Sequence, residues 1–416
     1  MSRILVVSDP AYPLSTSGFS IPCRAAIDGL LAAGFDVLHM GRGARMDEEN
    51  FPPEWIGKPV RVLQTPSDDI NGYRYLQYVL ETEGSFEPID CIVFIADPES
   101  IRAWRTNVNA RATNINRPMP TVMYGPTEGG PLQKPDSTCL AEIIACGGIV
   151  STYTRFSEGV ITLAIKRAMA KGEECPDFEV RIIPHGNDHA NFRRLPAAER
   201  AALRKQFGWE DKIVVMNVAR NAGRKMWPNL FKAIALLVKK YPNLILYAHT
   251  VPFEGYALGG HNLAELAANL GITNHVIYPD RIPDPWHGVP YERLIAAYNA
   301  ADIFVTPSGA EGWNLPVGEA AACGLPVLCT SYSGMWEQAQ DYAIPMEPDA
   351  WITHPSGAEL AYIQPQQMAD LIEHYAIACK DDTLPYIERG MQIAGKRTWQ
   401  PVREGIAKMV IEVLGG

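Results

Sequence analysis

Short apolar runs, many of them β-branched, alternate along the chain with longer stretches of helical periodicity. This alternation is typical of parallel sheets built from strand–helix–strand units. A glycine-containing loop at 15–18 and an amphipathic helix that ends near Gly34 separate the first two predicted strands, which is how a nucleotide-binding half begins. The predicted strands of the first half are 4–8, 37–40, 91–95, 121–124, 148–151 and 180–183.

The pattern restarts in the second half of the chain, after a linker at about 187–195. An exposed helix at 196–207 precedes the first strand of this half, and a helix at 227–240 follows that strand. We therefore predict two Rossmann-like, doubly wound α/β domains, 1–190 and 191–399, that face a central ligand-binding cleft. The predicted strands of the second half are 212–219, 244–249, 275–278, 302–306 and 327–330.

Composition and charge exclude several classes of protein. The chain has 416 residues, 47% of them hydrophobic, and 37 basic against 47 acidic side chains give a net charge of −10. Its apolar runs are shorter than the roughly 18 residues of a membrane-spanning segment, so we predict no transmembrane helix. The acidic balance disfavours duplex nucleic acid as the main partner. The eight cysteines contain no CxxC pair, which favours the cytoplasm.

The segment 302–327 carries the most informative motif. A buried strand enters a polar loop, Pro316 stands where a helix should begin, and Gly324 stands where it should end. The free N–H groups of such a helix start favour anionic or hydroxyl-rich ligands. Glu311 in the loop and Glu319 one turn inside the helix can each accept hydrogen bonds from paired sugar hydroxyls. Alternatively, both acids only complement the helix dipole.

A second polar loop follows the first strand of the second half. It places Arg220, Arg224 and Lys225 at the carboxyl end of that strand. Arg220 offers a planar fork and Lys225 a point charge, which is a combination suited to a diphosphate. The alternative is a solvated basic turn. The loop has no GxxxxGK[ST] motif, so it is not a Walker A site.

Together the two loops resemble a known family. The sequence Glu-Gly-Trp-Asn-Leu-Pro-Val-Gly-Glu-Ala at 311–320 is similar to the E-x7-E signature of retaining glycosyltransferases of the GT-B fold. Specifically, it resembles glycosyltransferase family four, also described as glycosyl transferases group 1. Arg220 and Lys225 resemble the diphosphate-binding Arg and Lys of that family. Further similar segments follow the family's order at 16–19, 183–188 and 298–302.

The resemblance implies a role for each matching residue. Glu319 would hold the ribose hydroxyls of a nucleotide sugar, and Glu311 would hold hydroxyls of the transferred sugar. Arg220 and Lys225 would neutralise the leaving diphosphate, and Gly18 would let the first loop approach the phosphates or the acceptor. The residues whose backbone would line the sugar are Gly312, Trp313, Asn314 and Leu315.

The sequence departs from the family pattern at several positions. Asn314 stands where the family most often has Gly, and Gly318 where a larger apolar residue is usual. Many members carry a His in the first domain near the transferred sugar, but the only early histidine here is His39, at a predicted strand end. Asp97 and Glu128, just after predicted strands, are the candidates for that region. Asp97 precedes a proline and also suits a turn cap, whereas two glycines after Glu128 favour close ligand approach.

The resemblance implies a retaining, metal-independent glycosyltransferase whose helix at about 400–416 completes the first, acceptor-binding domain. It would move a sugar from a UDP- or GDP-linked co-substrate to an acceptor hydroxyl, with no other cofactor. No ligand cluster of His, Cys and acids is evident, so no catalytic metal is expected. A saccharide, lipid, protein, small metabolite or modified nucleobase remains open as acceptor, and peripheral membrane contact is compatible with this. The alternatives are a GT-B nucleotide-sugar epimerase or hydrolase, and a non-catalytic nucleotide-sugar-binding protein.

Overall fold

The chain divides into two compact units in the computed structural model. The N-terminal unit comprises Met1–Gly186 and Trp399–Gly416, and the C-terminal unit comprises Asn187–Thr398. Thr16 of the predicted first loop lies outside the described residues. The structure describes residues 1–11, 15, 17–42, 60–66, 68–69, 71–86, 88–112, 119–169, 177–255, 259–281 and 289–415.

The N-terminal unit is built on a seven-stranded sheet. Its strands are β1 (Arg3–Ser8), β2 (Asp36–Gly41), β3 (Val60–Gln64), β4 (Cys91–Ile95), β5 (Thr121–Tyr124), β6 (Ile149–Thr152) and β7 (Arg181–Ile182). They are parallel in the order β3-β2-β1-β4-β5-β6-β7. Because β1 pairs with both β2 and β4, the chain winds outward from β1 in two directions, as in a doubly wound fold.

Helices connect these strands and cover the sheet. All five residues of β4 are buried, as expected for a parallel strand with both faces covered. Across the described residues of both units, none of the helices combines the length and the apolar character that crossing a bilayer requires. The helices that connect the strands here are α1 (Ser20–Ala32), α2 (Tyr75–Phe86), α3 (Pro98–Ala112), α4 (Lys134–Ala145) and α5 (Arg155–Met169).

The C-terminal unit contains a second parallel sheet, of six strands. Its strands are β8 (Ile213–Val218), β9 (Leu244–His249), β10 (Val276–Ile277), β11 (Ile303–Thr306), β12 (Val327–Thr330) and β13 (Ile344–Met346). The order is β10-β9-β8-β11-β12-β13, so β9 and β10 are added on one side of β8, and β11 to β13 are added on the other side. The loops that follow these two strands therefore emerge side by side, at the switch point where doubly wound sheets bind ligands.

Eight helices and a hairpin complete the described part of this unit. The helices are α6 (Ala197–Phe207), α7 (Trp227–Leu237), α8 (Leu263–Asn269), α9 (Tyr291–Ala300), α10 (Leu315–Ala322), α11 (Ser333–Ala339), α12 (Pro365–Glu373) and α13 (Leu384–Ile393). The hairpin pairs β14 (Ala350–Thr353) with β15 (Glu359–Tyr362). Ala361 donates its N–H to the Gly309 carbonyl at 2.9 Å, which ties the hairpin to the loop after β11.

The last helix, α14 (Gln400–Gly415), belongs to the N-terminal unit and packs against α1. Gly29 of α1 lies at this contact. A Cβ built on Gly29 would lie 2.1 Å from the Arg403 carbonyl oxygen, which is too close for any side chain. The two helix backbones can approach this closely because the position is glycine.

The two predicted doubly wound units are confirmed, and every predicted strand is present with its ends within one residue of the prediction. Four strands of the described residues were missed. β13 has a proline at its centre, which a sheet edge tolerates but a strand pattern does not suggest. β14 is exposed at all four residues, so it carries no core-facing alternation. The edge strand β3 and β15 were also not predicted.

We expect Gly29→Ala to lower the free energy of unfolding by about 1–3 kcal/mol, because its methyl group overpacks against the α14 backbone. Gly159→Ala in α5 is the control, since its Cβ would meet no atom within 4 Å. That control should gain up to about 1 kcal/mol from helix propensity. Thermal unfolding followed by calorimetry measures both; equal effects of the two variants would contradict the close helix contact.

Candidate active site

The loop after β8 places three cations at the carboxyl end of the C-terminal sheet. Arg220 follows the strand, and a 3-10 turn covers Gly223–Lys225. Met226 then takes a left-handed φ of 53°, and α7 begins at Trp227. The buried Trp227 indole donates a hydrogen bond to the Arg220 carbonyl at 3.1 Å. The hydrophobic core therefore fixes the backbone of this basic loop.

Lys225 and Arg224 both bind Glu311, which lies in the loop after β11. The two loops meet because β8 and β11 are paired strands. Lys225 Nζ contacts Glu311 Oε1, and Arg224 Nη1 lies 2.8 Å from Oε2. The Gly309 N–H also donates to the Arg224 carbonyl at 2.8 Å. Each carboxylate oxygen of Glu311 thus has its own cation.

This cluster keeps Glu311 ionised although its side chain is only 6% exposed. Burial raises the pKa of the carboxyl, but Arg224 and Lys225 outweigh burial and hold the pKa below its usual range. The Glu311 N–H donates to Ser333 Oγ at 2.9 Å, which fixes the backbone beneath the carboxylate. Two cations against one carboxylate leave the cluster with an excess positive charge.

These contacts add to what the sequence predicted. Lys225 was predicted to face a diphosphate and Glu311 a sugar, and in the structure these two side chains bind each other. Arg224 received no role from the sequence, although it binds the same carboxylate. Its position next to Lys225 was the available signal. A 3-10 turn is tight enough to bring both neighbours to one carboxylate.

Arg220 makes its side-chain contacts elsewhere. Its Nε donates to Glu254 Oε1 at 2.6 Å, and its Nη2 contacts the same oxygen. The Arg220 side chain is 62% exposed, whereas that of Glu254 is 13% exposed. Sequence reasoning missed Glu254, because the segment after β9 carries no recognised motif.

Glu319 is buried in α10, and its Oε2 accepts a hydrogen bond from the Tyr298 hydroxyl at 2.9 Å. Burial raises the pKa of Glu319 to about 7, the Tyr298 hydrogen bond lowers it, and nearby Asp188 raises it. Glu319 therefore exchanges a proton near neutral pH. In its charged form it is a strong acceptor for hydroxyl groups.

The structure shows how both departures from the family pattern in this segment are accommodated. Asn314 occupies the N-cap position of α10 with φ 71° and ψ 78°, a left-handed conformation that Gly prefers and Asn tolerates. A Cβ on Gly318 would lie 2.6 Å from Oδ1 of Asn187. The Asn187 Nδ2 donates to the Ala394 carbonyl at 2.7 Å, so this neighbour is itself held in place.

The four residues predicted to line a sugar differ in accessibility. Gly312 and Trp313 are buried, whereas Asn314 and Leu315 are half-buried. The Arg397 guanidinium lies 5.3 Å from the centre of the Trp313 ring and covers it. The accessible part of this predicted lining is therefore the start of α10.

Asp97 and Glu128, both predicted in the N-terminal unit, lie near the buried Tyr153 hydroxyl, whose pKa is raised by burial and then by the charges of these two acids. Asp97 caps α3, because its carboxylate accepts hydrogen bonds from the Ser100 N–H at 2.8 Å and hydroxyl at 3.0 Å. Glu128 is exposed in the loop after β5, beside Gly129 with φ 141°. Gly18 is exposed, and a Cβ there would meet no atom within 4 Å. The structure thus supports the capping interpretation of Asp97.

Both histidines of this unit are core residues. His39 lies inside β2, not at its end as predicted, and accepts from the Ala11 N–H at 3.1 Å. Burial lowers the pKa of His39 to about 4. His185 packs among the rings of Tyr124, Tyr153 and Trp399, and burial lowers its pKa to about 3. Both imidazoles are therefore neutral at physiological pH.

Comparison with known proteins identifies the segment that carries both loops. Residues 199–361 match the family described as Glycosyl transferases group 1. The matched segment includes Arg220, Lys225, Glu311 and Glu319. The family resemblance inferred from these residues is thus supported for this part of the chain.

Curated relatives are similar over part of the chain. The GDP-mannose-dependent alpha-(1-6)-phosphatidylinositol monomannoside mannosyltransferase of Mycolicibacterium smegmatis is 30% identical over 173 residues, which cover 40% of this chain and 42% of that protein. The D-inositol 3-phosphate glycosyltransferase of Corynebacterium jeikeium is 28% identical over 253 residues, 59% of this chain and 54% of that protein. The chain therefore spans about half the length of these relatives.

Solved structures are similar over the whole chain. Anabaena Alr3699/HepE in complex with UDP and glucose gives a TM-score of 0.69 at 18% identity, and 100% of each chain is covered. Sucrose-phosphate synthase from Thermosynechococcus elongatus gives 0.72 at 16% identity, again with 100% of each chain covered. At these identities the likeness concerns the fold, and the predicted GT-B fold of two Rossmann-like domains is confirmed.

One group in the described part of the chain combines potential metal ligands, contrary to the expectation of none. Single ligand atoms of His374, Cys379 and Asp382 lie within 4.8 Å of one another. They sit on a π-helical turn at His374–Ala378 and the segment after it. None of these residues belongs to the loops after β8 and β11, where the cations are Arg and Lys side chains.

The raised pKa of Glu319 predicts a pH-dependent stability. The folded protein keeps the Glu319 proton up to about pH 7, whereas the unfolded chain releases it near pH 4.5. Stability is therefore lost as the pH rises through this window, by at most about 3 kcal/mol. Glu319→Gln should match the wild type near pH 4.5 and exceed it at pH 7.5 in urea unfolding. A difference that does not change with pH would contradict the assignment, and Glu373→Gln, in a surface ion pair with Lys240, is the control.

Arg224→Met should lower the free energy of unfolding at pH 7 by about 1–3 kcal/mol, because Glu311 stays buried with one cation instead of two. The double variant Arg224→Met/Glu311→Gln should lose less than the sum of the losses in the two single variants, because the contact between Arg224 and Glu311 is removed only once. Urea unfolding of the two single variants and the double variant measures the effect, with Lys240→Met as a surface control. Additive losses in the double variant would show that the ion pair does not stabilise the loop.

Proposed function

We propose that this chain is a retaining, metal-independent glycosyltransferase that transfers a sugar from a UDP- or GDP-linked donor to an acceptor hydroxyl. The observation that carries this proposal is the Arg224–Glu311–Lys225 cluster on adjacent strand ends, directly before α10 and inside the matched segment. It combines positive charge with a carboxylate beside a helix N-terminus. A nucleotide sugar needs all three, for its phosphates and its hydroxyls.

The cations stabilise the negative charge that develops on the diphosphate when its bond to the sugar breaks. The bond from the anomeric carbon to the diphosphate breaks, so negative charge grows on the departing phosphate. Lys225 and Arg220 stabilise this charge, with the N-terminus of α10 behind them. These side chains thereby fill the role that a divalent cation has in other transferases.

The two acids bind the hydroxyl groups of the donor. Glu319, which already accepts one hydroxyl from Tyr298, binds the ribose. Glu311 accepts hydroxyls of the transferred sugar with the lone pairs that its two cations leave. The half-buried backbone at Asn314 and Leu315 lines the same sugar.

Retention follows if the acceptor attacks from the face that the diphosphate leaves. The departing phosphate oxygen then takes the acceptor proton, and no strong base of the protein is required. The neutral, core-packed state of His39 and His185 is in keeping with this route. The relatives named for inositol 3-phosphate and phosphatidylinositol monomannoside suggest a hydroxyl-rich acceptor.

Thermal-shift screening of UDP- and GDP-sugars tests the donor, because a ligand at about a hundred times its Kd stabilises by about 2.7 kcal/mol. Release of nucleoside diphosphate is then measured with and without inositol 3-phosphate or a mannoside. Acceptor-dependent release supports transfer. Acceptor-independent release would indicate a hydrolase, and binding without release would indicate a non-catalytic protein.

Lys225→Met and Arg220→Met should each lower kcat by about 10²–10³-fold, because each removes a donor that stabilises the leaving group. The steady-state rate of diphosphate release measures this loss. Lys240→Met should leave the rate unchanged, since Lys240 pairs with Glu373 at the surface. Full turnover in the Lys225→Met/Arg220→Met double variant would overturn the leaving-group role.

A further inference from the structure

Asn221 of the basic loop binds the backbone on both sides of Glu254, at Val251 and at His261. Asn221, fully buried next to Arg220, donates from Nδ2 to the Val251 carbonyl at 3.2 Å and to the His261 carbonyl at 2.7 Å. Its Oδ1 accepts from the His261 N–H at 3.0 Å. One side chain of the basic loop therefore holds both of these backbone positions, and Glu254 lies between them.

Glu254 meets Arg220 along one edge of the guanidinium. Nε and Nη2 of Arg220 both bind Oε1 of Glu254. The other oxygen, Oε2, is buried and has no hydrogen-bond partner among the described residues. A buried carboxylate oxygen without a partner has a desolvation cost, and Glu254 bears this cost while its other oxygen holds Arg220.

We propose that Glu254 is a positioning residue for Arg220, and this rests on the proposed function. By holding the Nε–Nη2 edge, Glu254 turns the remaining Nη1–Nη2 edge of the fork to the donor diphosphate. Two parallel hydrogen bonds from that edge match the geometry of a phosphate group. Arg220 then meets the diphosphate already oriented.

The size of the effect follows from the exposure of Arg220. A side chain that is 62% exposed samples many rotamers unless a partner restrains it. Ordering one such side chain costs about 0.5–1.5 kcal/mol on binding, which corresponds to about a twofold to tenfold change in Kd. Glu254 removes that cost before the donor arrives.

Two uncharged variants of similar size separate the effect of orienting Arg220 from the effect of the negative charge of Glu254. Glu254→Gln keeps an oxygen that accepts from Nε and Nη2, whereas Glu254→Met has none. Calorimetry with UDP and GDP should give a Kd about twofold to tenfold higher for Glu254→Met than for Glu254→Gln. Equal Kd values would overturn the proposal. Glu373→Gln and Glu373→Met, at a pair whose Lys240 side chain is 64% exposed, should bind equally.

A double-variant cycle shows whether Glu254 acts through Arg220. In an Arg220→Met background, Glu254→Met should raise the Kd no further, because no fork remains to be oriented. A structural role of the backbone that Asn221 binds would instead weaken binding equally in both backgrounds, and that additive result would overturn the proposal. If Glu254→Met does not fold, Glu254→Ala replaces it in the cycle.

Binding of UDP and GDP by the wild type distinguishes a failure of the positioning role from a failure of the proposed function. If it binds neither UDP nor GDP, the proposed function falls and this proposal falls with it. If it binds one of them and the cycle is additive, the positioning role alone falls. Binding by the wild type together with a non-additive cycle supports both.

Discussion

The site depends on the cost of keeping one carboxylate out of water. Glu311 is almost fully enclosed, and an isolated charge in such a place would be neutralised by protonation. It stays charged because the turn after β8 brings Lys225 to one oxygen and Arg224 to the other. That requirement fixes the loop after β11 against the basic turn, and α10 begins from this fixed point. The position of the helix start is thus a consequence of charge pairing across two neighbouring strands.

The surroundings of Glu311 and Glu319 shift the pKa values of these two glutamates in opposite directions. Glu311 has cations at both oxygens, and its pKa falls. Glu319, one helical turn inside α10, has a tyrosine hydroxyl and no cation among its described contacts, and its pKa rises. Groups separated in this way serve different tasks at the same pH. Glu311 is a permanent counter-ion, whereas the pKa of Glu319 lies near neutral pH.

The sequence predicted the fold well because its signals were local and repeated. Each buried strand of the two sheets is a run of apolar residues, and adjacent loops after β8 and β11 follow from the order of parallel strands. The missed elements lack such signals: β13 contains a proline, and β14 is exposed. The sequence predicted which loops lie next to each other, but it did not predict which side chains in them form ion pairs. The contact of Glu254 with Arg220 depends on how Asn221 clamps a segment without a motif.

Helix α14 gives the N-terminal unit an interrupted chain. Its sheet ends at β7, yet α14, which fills the groove over Gly29, comes after the whole of Asn187–Thr398. On the ribosome, the C-terminal unit is therefore the first for which all residues have been made. The surface of α1 that packs against α14 therefore stays uncovered until α14 has been translated. A nascent chain of this protein thus completes its domains in the reverse of their order along the sequence.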